Sequence, residues 1–159
     1  MGTPRKIIFK AKKSDEEWVE GNYHYREWIN GTRKNIHYIT GIINEFHYYQ
    51  YEIDPTTLSQ FTGWVDNHGN RIFENDIVEI VSSPKRSYKY LIWWNREMNM
   101  ITAVSLDDIY FNGTDYWDGN PNFNYSTFCL MLQEPWGDFS DVKIIGNLFD
   151  NYEIVKEKL

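Results

Sequence analysis

The chain has 159 residues, 42% hydrophobic and 25% charged, with a net charge of -7. That is enough apolar surface for one domain of ordinary size or two small ones, and it excludes a disordered chain or a repeat array. Residues 1–52 carry a net +1 and residues 53–159 a net -8, so most of the chain repels a phosphate backbone.

Twenty-eight residues are aromatic (7 Trp, 12 Tyr, 9 Phe) against two alanines, a balance that favours strands over helices. Alternation predicts a first strand over Lys6 to Ala11 and a second over Trp18 to Tyr25, where Gly21 and Asn22 interrupt the pattern with turn chemistry. Asn30-Gly31 is the clearest hairpin signal, lying between Tyr25 to Ile29 and Asn35 to Ile43. A strand over Tyr48 to Ile53 follows. Asp54-Pro55 then predicts one short helical turn ending near Phe61 to Gly63, with Asp54 accepting a free amide and Pro55 at the first helical position.

Asp66 to Gly69 has turn chemistry, and Glu74-Asn75-Asp76 makes a second corner into the alternating strand Ile77 to Val81. Further strands are expected at Tyr88 to Trp94, Met100 to Leu106, Thr127 to Leu132 and Val142 to Gly146, with helical character at Asp150 to Lys158. Many short strands separated by turns predict a small barrel.

The segment IDPTTLSQFTGWVDNHGNRIFENDIVEI, with IIGNLFDN near the end, resembles the signature of the YopX family of phage and prophage proteins. Its elements stand here as Gln60 to Gly63, Asp66 to Gly69, Ile72 to Asp76 and Ile145 to Asn147, and Lys6 to Ala11 is similar to the family's first strand. Asn75 replaces the usual glycine of the corner, and asparagine tolerates a left-handed backbone best after glycine. Tyr152 stands where a proline often follows the closing element. The resemblance implies an all-β fold with an SH3-like barrel at 53–159, extra N-terminal strands at 1–52 and a short C-terminal helix. Gly63, Gly69, Asn75, Asp76 and Gly146 are the expected structural turn residues.

Few residues suggest chemistry. Cys129 lies in an apolar run and reads as a core residue, and His24, His37, His47 and His68 are too dispersed for a zinc site. The Asp118 to Asn124 loop imitates the start of a calcium loop but lacks its sixth and twelfth positions. Asp107 and Asp108 are adjacent and face opposite ways on a strand, and no nucleophile elbow or phosphate-cradling loop occurs. No catalytic residue, cofactor or metal is therefore expected.

The aromatic surplus remains. In pairs such as Tyr48-Tyr49 and Trp93-Trp94 only one ring can face a core, so Tyr49, Tyr51, Trp93, Trp94, Tyr116 and Trp117 are the candidate binding aromatics. The expected partner is a protein, either a second copy in a homo-oligomer or a host factor, with single-stranded nucleic acid the alternative through Arg5, Lys6, Lys10, Lys12 and Lys13, and an enzyme of unknown class the third reading. The apolar stretch Ile7 to Phe9 is too short for a signal peptide, and no long apolar run follows, so a cytoplasmic protein of a bacterial host that binds no membrane is expected.

Overall fold

The computed structural model describes residues 6–29, 31–45, 47–83, 86–96, 99–106, 126–127 and 141–156. Cys129, Tyr116, Trp117, the adjacent pair Asp107 and Asp108, and the Asp118 to Asn124 loop lie outside them. Two compact units divide the chain, Met1–Gly63 and Trp64–Leu159.

In the first unit β1 (Phe9–Lys12), β2 (Trp18–Ile29), β3 (Thr32–Asn44), β4 (His47–Glu52) and the start of β5 (Ser59–Val65) lie in the order β4-β3-β2-β1-β5. Pairing of Ile29 with Thr32 leaves a two-residue loop of which Gly31 adopts φ 78°, the conformation such a tight turn demands. Gly21 and Asn22 do not break the strand as expected. They sit inside β2, and Gly21 is needed there for packing, because a Cβ would lie 2.9 Å from Ile39 Cγ2. Ala11, Ile39 and Ile53 form the core, with Phe9, Val19, Tyr49 and Leu58 packed on it.

Asp54 opens a single 3-10 turn, Pro55–Thr57, accepting Thr56 N at 2.9 Å and Thr56 Oγ1 at 2.7 Å. The turn stops four residues short of its expected end, and Ser59 onward is strand: Thr57 Oγ1 accepts Lys12 N at 2.9 Å and Phe61 N donates to Ile8 O at 2.8 Å, so this stretch is drawn into the β1 ladder. The sheet also curls until Lys13 bridges Ile53, with Asp54 N donating to Lys12 O at 2.9 Å.

The second unit holds β6 (Arg71–Phe73), β7 (Asp76–Ser83), β8 (Arg86–Asn95), β9 (Met100–Ser105), β10 (Ser126–Thr127), β11 (Asp141–Asn147) and helix α1 (Tyr152–Lys156). Its five-stranded sheet has the order β10-β9-β8-β7-β11, antiparallel throughout. Ile77, Leu91 and Val104 face one side, where Leu106, Leu148 and Val155 of α1 join them. Val78, Ile80, Ile92, Ala103 and Val142 face the other side with Ile72. Residue alternation puts an apolar layer on both faces, whereas a barrel needs one interior. The fold is all-β with a short C-terminal helix, and among the described residues its sheets do not close into the expected barrel.

Candidate interaction surface

The β3–β4 hairpin gathers the most exposed apolar side chains of the described residues. Its register is Ile39↔Tyr51, Gly41↔Tyr49 and Ile42↔Tyr48, with a shift before Asn44↔His47. Gly41 decides which way the tyrosines face. With no side chain at Gly41, the Tyr49 ring lies across it, and a Cβ there would strike the ring. The Tyr49 hydroxyl donates to Glu20 O, anchoring the ring across β2 as well. Tyr51 lies on the same face, 5.5 Å from Tyr49 between ring centroids, and Lys13 Nζ sits 4.9 Å from its ring.

Adjacent residues on a strand alternate, so Tyr48 must face the other way. It is 75% exposed, and its cross-strand neighbour Ile42 is 82% exposed, with Ile43 at 66% beside it. Of the aromatics singled out from the sequence, Tyr49 is thus half-buried while Tyr51 and Trp94 are partly exposed, at 43% and 37%. Trp93 is half-buried against the Ile77 core. Tyr48 belongs to the pair noted in the sequence but not to the candidate binding aromatics drawn from it. Its signal was Gly41, whose missing side chain on the neighbouring strand makes room for one tyrosine and sends the next outward.

The other face of β1 and β2 carries cations on an aromatic ring: Lys10 Nζ lies 5.0 Å and Lys12 Nζ 5.7 Å from the Trp18 ring, and Arg26 lies 5.6 Å from Tyr38. Lys13 is held by Asp15 at 3.0 Å and Glu17 at 2.7 Å; hydrogen bonds to Glu17 first and Asp15 second raise its pKa. Tyr23 Oη lies 2.7 Å from His37 Nδ1, and burial first, then the nearby Tyr25, raises the phenol's pKa. His24 Nε2 pairs with Thr40 Oγ1 at 2.9 Å. Among the described residues no three of His, Cys, Asp or Glu come together as a metal group.

The signature turns form a separate, structural constellation, all but Gly63 in the second unit. Gly69 has φ 84° and Asn75 φ 64°, and Gly63 has φ 96° within β5. Asn75 N donates to Ile92 O at 2.7 Å and its carbonyl accepts Leu148 N at 2.8 Å, so the left-handed corner ties β8 to the closing element. Asp76 is buried and accepts Phe73 N at 2.8 Å. Asp66 is buried and accepts His68 N at 2.9 Å, Asn70 N at 2.8 Å and Asn70 Nδ2 at 3.0 Å, with Ile144 N at 3.5 Å. Burial raises its pKa, and these hydrogen bonds together outweigh burial and hold the carboxyl below its ordinary value. Asn67 exchanges two bonds with Val142, its Oδ1 accepting Val142 N and its N donating to Val142 O, both at 3.0 Å. Gly146 lies under Asn151, whose Oδ1 accepts Asn147 N at 3.1 Å.

A family model covers these turns and nearly all of the chain. The model described as "YopX protein" matches residues 8–156. The chain belongs to the YopX family. A search of curated proteins finds no match. Among solved structures, this YopX-family chain is similar to one described as "Crystal structure of protein EF1440 from Enterococcus faecalis", with 18% identity, 94% of this chain and 98% of that one covered, and a TM-score of 0.48. Among the described residues no helix is long and apolar enough to cross a membrane.

Proposed function

We propose that this YopX-family chain is a non-catalytic protein-binding module of a phage or prophage, acting in the cytoplasm of the bacterial host. The observation that supports the reading is the cross-strand pair Ile42 and Tyr48, exposed together at the end of the first sheet. Burying two such side chains contributes roughly 1.5–3 kcal/mol each, enough to anchor a partner. Tyrosine also supplies a hydroxyl at the rim of an otherwise apolar contact. The partner is a host protein or a second copy of the chain, and light scattering at micromolar concentration separates the two. The paired variant Ile42→Ser with Tyr48→Ser should keep the fold and lose the association. Association unchanged by that variant would remove the reading.

A single-stranded nucleic-acid module is the second reading. It rests on Lys10 and Lys12 over Trp18, since stacked rings beside cations suit unpaired bases. Submicromolar, salt-dependent binding of a single-stranded oligonucleotide, lost in Trp18→Ala, would favour it over the first.

A further inference from the structure

We infer that the outer edge of β4 is a strand-addition site for an extended, cationic peptide segment of another protein. This deepens the protein-binding reading and rests on it. Three observations meet at this edge.

The first is backbone. β4 is the last strand of its sheet among the described residues. Ile53 N donates to His37 O at 3.0 Å, so in this antiparallel register Ile53, Tyr51 and Tyr49 direct their backbone groups at β3. Tyr48 and Gln50 then direct theirs away from it. At the far end Asp54 N reaches Lys12 O and closes the edge, leaving Tyr48 and Gln50 as its open portion among the described residues. Two N–H and two C=O groups spaced along an extended chain are complementary to another extended chain.

The second is the composition of the strand itself. Open edges are usually guarded by lysine, proline or a covering element. β4, HYYQYE, has no lysine and no proline. Both side chains of the open portion, Tyr48 and Gln50, are solvent-exposed.

The third is charge. Residues 35–70 contain four Asp or Glu and no Lys or Arg, and three of the acids, Glu45, Glu52 and Asp54, bracket β4. A second copy would bring the same acids to the same edge and repel. Alternating Lys or Arg on an incoming strand would instead lie beside Tyr48 and Glu52. This chain already places cations over its strand aromatics in that manner, at Lys13 over Tyr51 and Arg26 over Tyr38.

The test uses the whole chain and capped peptides of about eight residues, near the usual strand length, with alternating Val and Lys or alternating Val and Glu. The Lys peptide should bind and protect the Tyr48 and Gln50 amides from hydrogen exchange, while the Glu peptide should not. N-methylation of the Lys peptide at alternate residues, which removes edge donors and leaves the protein untouched, should weaken binding on the order of tenfold or more. Equal binding of the N-methylated peptide, or of the Glu peptide, overturns strand addition or its charge preference. A stable dimer that protects the same amides without peptide overturns it in favour of a second copy. The Ile42→Ser, Tyr48→Ser variant separates the two proposals. If it loses a partner that the wild type holds while the Lys peptide never binds, the binding module stands and the edge proposal falls.

Discussion

Two sheet edges of this molecule are treated in opposite ways. Along β11, the outward amides of Val142 and Ile144 meet Asn67 Oδ1 and Asp66 Oδ2, at 3.0 and 3.5 Å, so a turn substitutes for a neighbouring strand. Along β4, the last strand of its sheet among the described residues, Tyr48 and Gln50 direct their backbone groups away from β3 and their own side chains are exposed. Side chains of the signature turn thus satisfy one edge, which is a device of stability. The other edge spends apolar surface on solvent, which stabilises nothing until something covers it.

The largest expected effect breaks the guarded edge. Asp66→Ala removes the acceptor for His68, Asn70 and Ile144 at once and should cost about 2–4 kcal/mol, read as a lower urea midpoint with an unchanged slope. A loss below about 0.5 kcal/mol would mean that water replaces the carboxylate and that this edge is no better guarded than β4. Gly146→Ala comes next. Its Cβ would lie 2.8 Å from Asn151 Cγ, so the closing element must shift, at about 1–3 kcal/mol. Asn151→Ala in the same chain should recover part of that loss if the clash is its cause.

Acid sharpens the same contrast. The Asp66 carboxyl sits below its ordinary value of 3.8 in the folded chain, and so does Asp54, through its hydrogen bonds to Thr56 Oγ1 first and Thr56 N second. A group with a depressed folded pKa contributes stability above its unfolded value and loses it as pH falls through the folded one. Stability should therefore decline below about pH 4, and the decline should be shallower in Asp66→Ala. An identical acid profile in the variant would show that this carboxylate is not the group that titrates.

How much of this was legible depends on how local the cause is. Asp54-Pro55, Gly31, Gly69 and Asn75 act on their own backbone, and the chain shows them directly. The Gly21 position was misread as a turn because its reason lies across the sheet, at Ile39 and Thr40, where only register places a neighbour. The expected barrel does not close among the described residues for a related reason: alternation on β11 puts Ile144 in one apolar layer and Ile145 in the other, and only the elements packed on each side, Ile72 on one and Val155 of α1 on the other, show that both faces of one sheet are covered. Tyr48 and Tyr49 were legible as a pair with one ring outward. Which ring goes outward is set by Gly41, eight residues upstream in sequence and directly opposite Tyr49 in space.

Asn75→Gly has a smaller expected effect. At φ 64° asparagine is tolerated and glycine is unstrained, so the change should be neutral or stabilising by up to about 1 kcal/mol. Loss of stability would assign the Asn75 side chain a bonding role beyond its backbone.

The smallest effect on stability belongs to the open edge, and there it separates structure from function. Tyr48 is 75% exposed and faces away from the Gly41 side of the hairpin, so Tyr48→Ser should change the melting free energy by no more than about 0.5 kcal/mol. Tyr49→Ser is the matched control on the neighbouring residue. It removes the ring that covers Gly41 and the hydroxyl donated to Glu20, and should cost about 2–4 kcal/mol, as an aromatic lost from a packed site does. Association should respond in the reverse sense, with Tyr48→Ser losing the partner and a folded Tyr49→Phe keeping it. If instead Tyr48→Ser destabilises the chain as much as Tyr49→Ser, the edge ring has a role within the fold, and the contrast between the two edges is lost.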